Sequence, residues 1–162
     1  MQDLLAWLEA TGVARMVQES TWGYPIVLSL HAVGMAILAG IVLMMNFRVL
    51  GLAPGIPLSA MRPMFRFALA GLLINAVTGS MLFVANADAF YESTPFRLKM
   101  LSLLVGLTLW LQMSRSMLVP AGPAQSRLQS NRIRLMAALS TLAWISVVVM
   151  GRLIAYWDWN DF

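Results

Sequence analysis

The chain contains no cysteine, and histidine and lysine occur once each among its 162 residues. The missing thiols exclude disulfides, thiolate metal sites and iron–sulfur clusters, and leave the redox compartment undetermined. One histidine cannot build a closed zinc site of the usual kind. No G-x-x-x-x-G-K-[ST] or G-x-G-x-x-G loop is present, so a nucleotide would find no cradle. Charge is scarce too, at 11% of residues. A water-soluble domain could not cover itself with so little.

What is present is apolar. Hydrophobic residues make up 60% of the chain, and the mean hydropathy is +0.76. Four long apolar runs lie at Tyr24–Phe47, Met64–Ala85, Phe96–Met117 and Leu135–Tyr156. Each has about 20 residues or more, enough to cross a hydrocarbon core of roughly 30 Å. The connections between them are short, so neighbouring helices should run antiparallel. The fold expected is an all-α integral membrane protein, an antiparallel bundle of four transmembrane helices with residues 1–162 as one domain.

The few charges are sorted. Threading the chain through four spans puts Asp3, Glu9, Glu19, Asp88, Glu92, Asp158 and Asp161 on the face shared by both termini and the middle loop. Arg48, Arg62, Arg66, Arg115, Arg127, Arg132 and Arg134 occupy the other face, which has no acid. Basic loops stay in the cytoplasm, so both termini are expected outside. The net charge of +4 and pI near 10.4 are then an orientation signal, and nucleic acid is not expected as a partner. A cleavable signal peptide is not expected either, because Asp3 stands where a basic region would and the first apolar residues are spaced.

Residues 3–19 alternate charge with apolar positions at helical spacing. Leu5, Leu8, Gly12 and Met16 share a stripe, with Leu4 and Val17 beside it, which reads as one short amphipathic helix on the outer surface. With the turn before Tyr24, where Trp22 suits the headgroup layer, it accounts for residues 1–22. The first span carries Ala32, Ala36 and Gly40 at four-residue spacing, a stripe that lets another helix approach; Gly71 and Gly79 flank Asn75 in the second. Gly51–Pro63 and Pro120–Asn131 read as cytoplasmic loops, and Asn86–Pro95 as the outer one.

Candidate chemistry gathers in the outer half. At about 1.5 Å per residue, His31 lies roughly 10 Å below the outer surface, Lys99 about 5 Å and Arg152 about 8 Å. Thr78 and Ser80 fall in the same layer, with Asn75 nearer mid-membrane. A buried imidazole costs free energy unless bonded, and an ionisable group inside a membrane is a functional candidate by default. Met35, four residues on, shares its helix face. Histidine with a thioether suits haem iron or Cu(I). The competing readings are ordinary. Lys99 and Arg152 can snorkel, Thr78 and Ser80 can bond their own helix, and methionine is a common space-filler. No acid lies deep in a span, which argues against carboxylate-based pumping.

Three stretches look familiar as a set: Leu30-His31-Ala32-Val33-Gly34-Met35, Gly71-Leu72-Leu73-Ile74-Asn75-Ala76-Val77-Thr78-Gly79, and Pro95-Phe96-Arg97-Leu98-Lys99. Together they resemble a large family of uncharacterised four-helix bacterial inner-membrane proteins. His31 and the Phe96-x-x-Lys99 segment are also similar to a pair in the HemJ-type protoporphyrinogen oxidases, which bind haem b. The early-span histidine resembles the CopD copper-resistance membrane proteins. These resemblances imply a bacterial cytoplasmic membrane protein, a component of a haem-dependent oxidoreductase. A haem b site facing the periplasm would use His31 as axial ligand, Asn75 and Thr78 to orient the imidazole, and Lys99 and Arg152 to neutralise propionates. Lys99 is alternatively the second axial ligand. The other readings are a copper-handling protein using His31 and Met35, and an accessory subunit without chemistry. Partners expected are the lipid bilayer, a periplasmic or membrane redox protein and a second copy of the chain.

Overall fold

The computed structural model describes residues 2–117 and 131–156, apart from the side chains of Leu58, Ser59, Arg62, Ser116 and Met117. These residues are all-helical: α1 Gln2–Glu9, α2 Gly12–Glu19, α3 Gly23–Leu50, α4 Leu58–Ala85, α5 Ala87–Glu92, α6 Thr94–Met117 and α7 Asn131–Leu153. Arg127, most of the loop expected over Pro120–Asn131, Asp158 and Asp161 lie outside them. Four helices, α3, α4, α6 and α7, are long and apolar enough to cross a membrane. Their outward faces are apolar as well, with Val33, Leu73, Leu104 and Leu142 more than half exposed. Water would penalise such a surface at about 25 cal/mol per Å², whereas lipid would not.

Helix α3 stops where its sequence tells it to. Gly51 takes φ +83°, Leu52 N–H reaches back to the Phe47 carbonyl at 2.9 Å and Gly51 N–H to that of Arg48 at 3.3 Å. This left-handed cap satisfies the carbonyls that a helix end would strand. Arg48 Nε donates to the Ile56 carbonyl at 2.6 Å and ties down the loop that follows. That loop is shorter than expected, because α4 begins at Leu58 and contains Pro63. Pro63 is the sixth residue of α4, past the first turn, so it gives up the one backbone bond that its N–H would have made four residues back.

Contacts divide the chain into two units. The first is Met1–Leu38 with Phe67–Thr94, and the second is Ala39–Arg66 with Pro95–Phe162. Helices α3 and α4 each contribute to both.

In the first unit, the single amphipathic helix expected over residues 3–19 is two. The chain breaks at Ala10–Thr11, where Thr11 Oγ1 accepts from Ala14 N–H at 3.3 Å and donates to the Leu8 carbonyl at 2.7 Å. Such a cap contributes about 1 kcal/mol. The break shifts the helical phase, so the buried residues are Leu5, Ala14 and Val17, while Met16 and Gly12 are exposed. Val17 joins Val27, Leu82 and Ala85 in a small core, and the Gln18 amide donates to the Ala85 carbonyl. The outer loop holds its own helix, α5. Glu9 Oε1 accepts from Asp88 N–H at 3.1 Å, so a carboxylate on α1 serves the positive end of α5.

The close crossing of α3 and α4 runs through glycines. As α3 proceeds through His31, Gly34 and Leu38, its neighbours recede along α4 through Thr78, Asn75 and Gly71. A Cβ on Gly71 would sit 2.9 Å from the Gly34 carbonyl oxygen and 3.0 Å from Leu38 N, and one on Gly34 would sit 2.7 Å from Asn75 Nδ2. The expectation that Ala32, Ala36 and Gly40 form the packing stripe is corrected. All three are exposed, and a Cβ on Gly40 would meet nothing within 4 Å. Gly34, two residues from Ala32 and so on another face, does the work instead.

In the second unit, α6 and α7 pair in opposite order: Lys99 beside Gly151, Ser102 with Ser146, Gly106 under Trp144. Trp110 and Trp144 are wholly buried. Trp110 stacks on Phe65 at 5.0 Å and donates its indole N–H to Met45 Sδ at 3.4 Å. Val49, Met113 and Ala137 close the core.

Candidate functional site

His31 sits on α3 in the first unit, half-buried against α4. Its Nδ1 lies 3.0 Å from Thr78 Oγ1. Thr78 Oγ1 also donates to the Ile74 carbonyl one turn back at 2.6 Å. A hydroxyl has one proton, and that bond uses it. Thr78 must therefore accept from His31, which places the ring proton on Nδ1. A neutral imidazole then carries its lone pair on Nε2, the arrangement typical of histidines that ligate metal while a second group fixes their tautomer. Gly79 completes the cradle. A Cβ there would stand 3.2 Å from Cε1 and 3.6 Å from Nδ1 of His31, so a methyl at residue 79 would press the ring by a few tenths of an ångström.

The hydroxyl and the amide expected to orient His31 have separate tasks. Thr78 does so. Asn75, although buried, turns its amide nitrogen to the Gly71 carbonyl at 3.0 Å, and its Oδ1 has no hydrogen-bond partner among the described residues. It packs onto α3 through Gly34. Ser80 is exposed and bonds the Ala76 carbonyl of its own helix at 2.7 Å. Met35 is half-buried one turn beyond His31. Met81 packs against the Val17–Leu82 core, so it fills space. Among the described residues, no three His, Cys, Asp or Glu side chains come together.

Lys99 and Arg152 belong to the second unit. Lys99 is half-buried, its stem lying along α7 at Gly151. Arg152 is exposed and folds onto Tyr156, with its guanidinium 4.6 Å over the ring and a bond to the phenol hydroxyl.

A polar group in the second unit escaped the sequence reading. Asn46, Ser140 and Trp144 are fully buried. Asn46 Nδ2 donates to Ser140 Oγ at 3.1 Å, while Asn46 Oδ1 and Trp144 Nε1 have no partner among the described residues. The signal was available, because a buried amide in an apolar run needs a partner whether it stands at position 75 or 46.

Four helices of this length and apolarity mark a multi-pass membrane protein. The chain belongs to DUF6644, a family of unknown function, matched over residues 7–157. No curated protein and no solved structure matches it.

Proposed function

We propose that this chain is a haem b-binding electron-transfer protein of the bacterial cytoplasmic membrane. It is an antiparallel four-helix bundle with both termini in the periplasm and a periplasm-facing site in which His31 is the axial ligand. The observation that carries the reading is the relay from His31 Nδ1 through Thr78 Oγ1 to the Ile74 carbonyl. It favours the imidazole tautomer whose lone pair, on Nε2, is the one a metal would use. The donor set fits one axial position from this chain. His31 would hold the group, and Met35 lies half-buried one turn away on the same helix face. The orientation is supported by the sorting of arginines and acids between the two faces. Bound haem would supply one-electron transfer. Thr78 would fix the ring, and the apolar helices would keep water from it.

The test is the visible spectrum of the chain purified in mild detergent after expression with ample haem. A Soret band is expected, absent in His31→Ala and shifted or weakened in Thr78→Val, with the helical content of both variants retained. A His31→Ala protein that keeps its full haem content would end the proposal. The position of Met35 favours a second reading, in which His31 and Met35 hold Cu(I) side by side. Copper bound by the haem-free protein and lost in both His31→Ala and Met35→Leu would select it.

A further inference from the structure

Lys99 is an unusual cation in its surroundings. It lies six residues into α6, half-buried, and among the described residues it has no hydrogen-bond or ion-pair partner. A snorkelling lysine lays its stem along apolar surface and keeps its ammonium in water. Here the stem and the ammonium both lie against α7. A Cβ on Gly151 would stand 3.6 Å from both Cε and Nζ, and 3.7 Å from Cδ. The glycine therefore provides a shelf that brings the ammonium against the neighbouring helix.

Three carbonyls near the end of that helix already accept from the turn that follows: Met150 from Ile154 N–H, Arg152 from Ala155 N–H and Leu153 from Tyr156 N–H. Nor does any described residue of this unit carry a carboxylate. All five acids among the described residues, Asp3, Glu9, Glu19, Asp88 and Glu92, fall in the first unit. The residue after the shelf is another cation, Arg152, which is held in place by Tyr156. A half-buried ammonium with no anion among the described residues is costly in a low-dielectric setting. An oxyanion would relieve it, and through charge-assisted hydrogen bonds.

We propose that Lys99, shelved on Gly151 with Arg152 beside it, is the anchor of a binding site for a carboxylate or phosphate group at this end of α6 and α7. The site is independent of His31, and its test uses protein without haem. The group has two sources, the phosphate of an anionic lipid or a small free anion, and the experiment separates them.

Full-length chain in a neutral detergent is followed by thermal unfolding at constant ionic strength. One arm titrates phosphatidylglycerol into the micelles against phosphatidylcholine. The other titrates inorganic phosphate and acetate against chloride. In one arm the melting temperature of the wild type should rise saturably. Lys99→Met, which keeps the length and suits the apolar setting, should weaken the responding anion by about tenfold or more, whereas Lys99→Arg should keep most of the response. A lipid response assigns the site to a headgroup, and a phosphate or acetate response to a soluble ligand. Absence of any response in the wild type, or an equal response in Lys99→Met, overturns the proposal. The variant Asp158→Asn/Asp161→Asn is run alongside. A response seen only there would mean that the chain supplies its own carboxylate, and would overturn an external ligand.

Discussion

Gly71→Ala adds one methyl group where α3 and α4 touch. The new Cβ would stand 2.9 Å from the Gly34 carbonyl oxygen, 3.0 Å from Leu38 N and 3.2 Å from Ile37 Cγ2. Ordinary contact begins near 3.4 Å, so the first two clashes fall short by about half an ångström. Both involve backbone, which no rotamer change can relieve, and the helices must part. Overpacking of this kind costs about 1–3 kcal/mol, offset by up to about 1 kcal/mol from alanine's better helix propensity. A net loss of about 1–2 kcal/mol is expected, roughly a 5- to 30-fold change in the unfolding equilibrium. Gly40→Ala supplies the contrast. Its Cβ meets nothing within 4 Å, so it should be neutral or stabilising by up to about 1 kcal/mol. Reversible unfolding in mixed micelles of mild detergent and dodecyl sulfate, followed by circular dichroism, measures both. If Gly71→Ala is as stable as wild type, or Gly40→Ala is as damaging, then the Gly34–Gly71 crossing is not where these helices pack. The parting should also lengthen the His31–Thr78 bond, so a cofactor at His31 would be held more weakly in Gly71→Ala than in Gly40→Ala.

Other outcomes are open to measurement. Ser140→Ala strips Asn46 of its one side-chain bond while its Oδ1 already lacks a partner, and should cost about 1–3 kcal/mol. Adding Asn46→Leu removes the stranded amide and should recover most of that loss, whereas simple additivity in the same unfolding assay would refute the coupling. Reporter fusions at Phe162 should behave as periplasmic and those near Gln125 as cytoplasmic, because the arginines sort to one face. The reverse pattern would place His31 and Lys99 in the cytoplasmic half.

The four long helices were legible in the chain, because apolar length is a one-dimensional property that survives whatever packs against it. The runs expected from residues 24, 64, 96 and 135 reappear as α3, α4, α6 and α7, extended by a few residues at most of their ends. His31 and Thr78 were legible as candidates because polar groups are conspicuous in such runs. Tertiary structure alone decided which faces meet. Around α3 apolar residues are spread almost evenly, and lipid is as apolar as a helix interface, so no polar side marks the outward face. Ala32, Ala36 and Gly40 therefore looked as good a contact as Gly34, until the backbone of α4 at Gly71 showed otherwise. The break at Ala10–Thr11, the help that Glu9 gives α5 and the Asn46–Ser140 bond were hidden for a related reason. Each depends on a partner distant along the chain or on a local phase shift, and hydrogen bonds of that kind are settled only when the helices assemble.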